Sequence, residues 1–117
     1  MGRIYRAFFN SAAGLSHAIR HELAVRQEVV VLCIGVPASL VVSAEWWKRL
    51  ALVGVLLLVL MVELLNTAIE ALSDHVTPDR HPTIGVVKDL GSAAVFAALI
   101  LAGLTWLVAL AERLGYN

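Results

Sequence analysis

Three apolar runs, 29–47, 50–72 and 91–111, alternate with polar stretches along this chain. Each is close to the roughly 20 residues an α-helix needs to cross the hydrocarbon of a bilayer. Ahead of them, residues 3–24 keep a helical period. Ile4, Phe8, Ala12, Leu15, Ile19 and Leu23 share one face, while Arg3, Arg6, Asn10, His17, Arg20 and His21 take the opposite one. An apolar face opposite a basic one predicts a helix lying in the membrane interface, assigned to 3–27, with its cations towards anionic headgroups. Glu22 breaks this pattern by projecting into the apolar stripe beside Ile4. The expected fold is an all-α membrane protein: an interfacial amphipathic N-terminal helix plus three transmembrane helices, forming one domain over 1–117.

Within the first run, Pro37 is expected to kink the helix. Glu45-Trp46-Trp47-Lys48-Arg49 reads as its interfacial end, leaving a very short external turn that makes the first two spans antiparallel neighbours. Residues 73–88 contain Pro78, Pro82 and Gly85 and lack apolar periodicity, which predicts a loop long enough to cover a ligand. The third span opens with Gly91-Ser92-Ala93-Ala94 and adds Ala98 and Ala102, a small-residue ridge suited to close helix packing.

Composition supports the membrane reading, since apolar residues make up 60% of the 117 positions against roughly 45–50% in soluble domains. Net charge is zero, which gives no reason to expect nucleic-acid binding, but the charges are unevenly placed. Arg3, Arg6, Arg20, Arg26, Arg80 and Lys88 fall on one side of the spans, and Lys48, Arg49 and Arg113 on the other. The positive-inside rule then puts the N-terminus and the second loop in the cytoplasm. Cys33 is the only cysteine, which excludes an intrachain disulfide and C-x-x-C chemistry; it reads as a small buried apolar side chain. The long basic region before the first run and the length of that run favour a retained helix over a cleaved signal peptide.

The candidate chemistry lies where polar residues interrupt apolar sequence. Glu63, Asn66 and Glu70 fall within a stripe about 60° wide on the second span, and Asp74 extends it by one turn. An ionisable side chain at bilayer depth costs at least ~2.5 kcal/mol, so such a stripe needs a use. One use is interhelical hydrogen bonding within an oligomer. Another is chemical, with one carboxylate taking a proton and another holding a hard cation, as Mg²⁺ commonly binds one or two carboxylates plus phosphates. Lys88-Asp89 reads either as a snorkelling lysine beside a helix N-cap or as a place for phosphate at a helix N-terminus. Glu22, Arg26, Gln27 and Glu28 form either a solvated interfacial cluster or, through Glu22, half of a metal site. Neither a G-x-x-x-x-G-K-[ST] loop nor a protein-kinase signature is present.

Three blocks together resemble the bacterial integral-membrane diacylglycerol kinase family: Glu22-x-x-x-Arg26-Gln27-Glu28, then Val62-Glu63-x-Leu65-Asn66-x-Ala68-Ile69-Glu70 with Asp74, then Lys88-Asp89-x-Gly91-Ser92-Ala93-Ala94-Val95. The resemblance implies an ATP-dependent kinase converting diacylglycerol to phosphatidic acid in the bacterial inner membrane, built as a homotrimer with shared active sites. It implies Glu63 as the catalytic base, and Glu22 and Glu70 as the carboxylates holding the Mg²⁺ that accompanies ATP. Nucleotide contacts would come from Arg3, Asn10, Glu22, Glu70, Asp79, Arg80, His81, Lys88 and Asp89. Lipid contacts would come from Arg3, the rest of the first helix, Glu28, Arg49, Glu63, Ser92 and Trp106, with Asn66 and Asp74 in support. Asn10 and Asp79-Arg80-His81 depart from the best-known member. Undecaprenol kinase is the neighbouring alternative, and a small oligomeric ion conductor the non-enzymatic one.

Overall fold

The computed structural model describes residues 2–77, 79 and 81–115. They form four helices in chain order: α1 (Gly2–His21), α2 (Leu23–Val42), α3 (Trp46–Val76) and α4 (Pro82–Arg113). The last three are long and apolar enough to cross a membrane, as the three runs imply. Central α3 packs between α2 and α4, while α1 touches the bundle mainly through α2.

Helix boundaries differ from the expectation in three informative places. The N-terminal helix stops at His21, because Glu22 takes an extended conformation (φ −118°, ψ 113°) and starts α2. Glu22 therefore does not sit on the apolar stripe of α1, and 23–27 belong to the first span. Its carboxylate makes no capping hydrogen bond, which leaves it free. Most of α1, with Ile4, Tyr5, Phe8 and Phe9, is exposed in the protomer; only its C-terminal turn packs, Ala18 and Ile19 meeting Val25 and Leu60.

The first span ends at Val42 rather than at residue 47, and the tryptophans open α3 instead. Ser43 stops α2 with extended dihedrals, and its hydroxyl accepts the Glu45 N–H at 3.1 Å. The last carbonyls of α2 lack intrahelical donors and are met by arginines. Arg49 donates to Ser43 O at 2.8 Å and Leu40 O at 3.3 Å, and Arg113 of α4 donates to Val41 O at 3.3 Å. Arg49 also lies 4.5 Å over the Trp46 ring.

The expected long loop over 73–88 is the third difference. α3 continues to Val76 and α4 begins at Pro82, leaving 77–81 as the connection. Proline at the first helical position starts a helix instead of breaking one, and the His81 ring accepts the Thr83 N–H at 3.2 Å as the cap. The apolar period lapses here because the helices leave the hydrocarbon. α3 has 31 residues, which at 1.5 Å each is about 46 Å, against a core of ~30 Å.

Within the bundle, packing follows residue size. Gly91, Ala98, Ala102 and Ala109 form the buried line of α4, with Ala98 and Ala102 against Val59, whereas Ser92, Ala93 and Ala94 face outward. On α2, Gly35 makes room for Leu56; an added Cβ would collide with Leu56 Cδ1. Trp106 Nε1 donates to Leu52 O at 3.1 Å, tying α4 to α3. Cys33 is exposed rather than buried, because α2 turns Gly35 and Ser39 inward, leaving Cys33 on the outer side.

Candidate active site

Antiparallel order brings the N-terminus of α2, the C-terminal half of α3 and the N-terminal half of α4 to one end of the bundle. There the polar stripe of α3 splits by depth. Glu63 and Asn66 are buried, with 9% and 8% of their surface exposed, whereas Glu70 and Asp74 are exposed. Leu60 and Leu64 bracket Glu63 and pack in the cluster formed with Val25 of α2, which holds this stretch of α3 against α2. Among the described residues the Glu63 carboxylate accepts no hydrogen bond, and the charges acting on it are the carboxylates of Glu28, Glu70 and Glu22. A buried acid that other carboxylates act on, with no ion-pair partner among the described residues, is poorly suited to a structural role, since an uncompensated charge in a low-dielectric setting destabilises the fold.

One turn on, the Asn66 side-chain amide donates to Glu70 Oε1 at 3.1 Å. Its own Oδ1 is buried and has no hydrogen-bond donor among the described residues. One further turn along, Asp74 Oδ1 pairs with Lys88 Nζ of α4 at 2.6 Å, with side chains 62% and 40% exposed. Lys88 lies in the second turn of α4, not at its N-terminus, and Asp89 is not an N-cap, because His81 holds that place. Lys88 and Asp89 instead line an open groove of about 600 Å³ with Thr77, Asp79, His81, Pro82, Ile84 and Gly85. Lys88 thus joins the α3 ladder to the groove.

The residues singled out in the sequence divide accordingly. Glu22, Glu28, Glu63, Asn66, Glu70, Asp74, Lys88, Asp89, Asp79 and His81 gather at this end. Arg3 and Asn10 are exposed on α1 beyond its contact with the bundle. Arg49 is held at the opposite end by the carbonyls of α2, and Trp106 lies beside Leu52 and Gly35. Ser92 is exposed on the outer side of α4, and Arg80 lies outside the described residues. Sequence reasoning missed Thr77, Pro82, Ile84 and Gly85 as groove residues, because the stretch holding them carried no helical period to orient them.

The donor set consists of hard oxygens, which suits a divalent cation that leaves much of its coordination to phosphates. Among the described residues no three His, Cys, Asp or Glu side chains converge where they could hold a metal. The described residues of one protomer therefore bring together at most two such side chains, which fits a cation shared with a nucleotide.

Known proteins are similar to this chain over most of its length. The model of the prokaryotic diacylglycerol kinase family matches residues 9–110. A diacylglycerol kinase of Pseudomonas aeruginosa is 42% identical over 104 residues, covering 89% of this chain and 85% of the relative. That of Escherichia coli K12 is 38% identical over 113 residues, covering 97% and 93%. That of Haemophilus influenzae is 36% identical over 96 residues, covering 82% and 81%. The family match spans the α2 carboxylates, the α3 ladder and the Lys88 groove alike, and the chain belongs to the prokaryotic diacylglycerol kinase family.

Proposed function

We propose that this protein transfers the γ-phosphoryl group of ATP to the free hydroxyl of diacylglycerol, giving phosphatidic acid. The observation that carries the reading is Glu63: a carboxylate buried in α3, accepting no hydrogen bond among the described residues, at the head of a polar ladder that leads to the Lys88 groove. From the tryptophans that open α3, ~20 residues of hydrocarbon reach to about Asn66. Glu63 then sits just inside the membrane surface, where the hydroxyl of a lipid lies, and Glu70 and Asp74 sit in the aqueous phase.

Each group has a task in this reading. Glu63 accepts the hydroxyl proton as the alcohol oxygen bonds to the γ-phosphorus and the bond to ADP breaks, a role contributing typically 10²–10⁴-fold. Lys88, paired with Asp74 without nucleotide, offers its ammonium to the phosphates, and Asp79, His81 and Asp89 line the nucleotide groove. Asn66 orients the Glu70 carboxylate. Glu22 and Glu70 would hold a divalent cation, Mg²⁺, which when bound neutralises phosphate charge. Phosphoryl transfer asks mainly for positioning and charge neutralisation, so these few groups suffice.

The reading includes assembly and orientation. The exposed apolar face of α1 and the uncompensated carboxylates of one protomer support a homotrimer in which neighbouring copies enclose each site, bringing Arg3 and Asn10 to a nucleotide bound elsewhere. Glu28, Ser92, Arg49 and Trp106 then meet the lipid at different depths. The chain acts as a single kinase domain in the inner membrane, with its N-terminus and the 77–81 connection in the cytoplasm. Purified protein in mixed micelles, given ATP labelled at the γ-phosphate, is expected to label diacylglycerol faster than undecaprenol. Faster labelling of undecaprenol would replace the substrate, and no transfer to either would return the acidic stripe to an ion-conducting role.

A further inference from the structure

Asn66 uses both ends of its side-chain amide, and only one end has a conventional partner. Its nitrogen donates to Glu70 Oε1, which fixes the other atom as oxygen, and that oxygen is turned towards α4. A Cβ built on Gly91 would collide with Asn66 Oδ1 and lie 3.3 Å from Cγ and 4.0 Å from Cβ of the same residue. The oxygen therefore occupies the space along a Gly91 Cα–H bond. Such Cα–H···O contacts recur where helices pack closely. The other two glycines of the span, Gly85 and Gly103, have nothing within 4 Å of an added Cβ. Of the three, Gly91 alone meets a polar side chain.

We infer that Gly91 is a positioning residue for Glu70: by leaving room for the Asn66 oxygen against the α4 backbone, it sets the rotation of the amide whose nitrogen holds the Glu70 carboxylate. The role of Glu70 rests on the phosphoryl-transfer reading; the contact itself does not. A methyl group at Gly91 must rotate the amide or part α3 from α4, and either movement takes the nitrogen away from Glu70. Elsewhere in a helix, Gly→Ala is neutral or stabilising, so the two glycine positions should respond in opposite ways.

The test compares Gly91→Ala with Gly103→Ala in the assembled protein. Gly91→Ala should raise KM for Mg-ATP about tenfold or more, the size expected for losing a hydrogen bond to a charged group, with a smaller change in KM for the lipid. Gly103→Ala should leave both unchanged. In the Asn66→Ser background, Gly91→Ala should add little, because the colliding atom is already gone. Selective ¹⁵N labelling of asparagine gives a readout independent of catalysis, since the chain has only Asn10, Asn66 and Asn117. The Asn66 side-chain amide signal, identified by its loss in Asn66→Ser, should move in Gly91→Ala and stay in Gly103→Ala. If wild-type protein transfers no phosphate, the kinase reading falls while this signal still decides the contact. An unmoved signal, wild-type kinetics in Gly91→Ala, or additive losses in the double variant would overturn the inference. Should Gly91→Ala fail to assemble, Asn66→Ser with Gly91→Ala should assemble as well as Asn66→Ser alone, and failure to do so overturns it too.

Discussion

The two ends of the bundle treat charge in opposite ways. At the end carrying the α2–α3 turn, Lys48 lies 3.1 Å from Glu112 and 3.7 Å from Glu45, and Arg49 and Arg113 are bonded to carbonyls of α2. Each cation there has a partner within the protomer, a carboxylate for Lys48 and helix-end carbonyls for Arg49 and Arg113. At the other end, Glu28, Glu70 and Glu22 act on Glu63, none of the four forms an ion pair among the described residues, and the nearby Lys88 is paired with Asp74. Unmatched carboxylates weaken a fold, and their concentration at one end points to ligands and partners that supply the missing positive charge. One end joins helices; the other holds the proposed site of reaction.

Substitutions at the two ends should therefore separate activity from stability. The largest effect is expected for Glu63→Gln, which keeps shape and burial but removes the proposed base. Turnover should fall by about 10²- to 10⁴-fold with Mg-ATP binding nearly intact. Normal turnover, measured with labelled ATP, would remove Glu63 from that role.

Next come Glu22→Ala and Glu70→Ala. Each should weaken apparent Mg-ATP affinity, and the double variant should be little worse than either, because groups holding one ligand do not contribute independently. A titration showing two additive losses would place them in separate sites.

The smallest effect is expected at the opposite end. Glu112→Gln removes the shorter of the two Lys48 pairs, whose side chains are 39% and 43% exposed. Solvated ion pairs contribute little to stability, so unfolding should shift slightly and turnover not at all. A large loss of turnover would mean that the two ends are coupled.

How much of this was legible in the sequence follows from the physics of each signal. The apolar runs gave the spans, because hydrocarbon thickness is a hard constraint on helix length. The α3 stripe was legible for a related reason: acids and an amide in an apolar helix stand out. Helix ends were less legible. Pro82 looked like a breaker and is a helix start, and Trp46-Trp47 looked like the end of one helix and is the beginning of the next. Both errors arise because polar and aromatic residues mark the membrane boundary without saying on which side of a turn they lie. Glu22 was noticed as misplaced, but only the backbone break shows why it is free to face α3. The Gly91 contact could not be read from spacing, since a glycine in a small-residue ridge gives no sign of which atom fills the space it leaves.

The central claim is that the carboxylates left uncompensated in one protomer belong to a single site completed by another. Coassembly of two inactive variants tests it most directly. Glu22→Ala and Glu63→Gln chains are unfolded together, reassembled, and assayed against each variant alone. If Glu22 of one chain completes the site of Glu63 and Glu70 on another, mixed oligomers contain some sites with every wild-type group, and activity should recover towards the statistical fraction of such sites. Activity that stays at the single-variant background, with mixed oligomers confirmed by crosslinking, would contradict the account by confining each site to one chain.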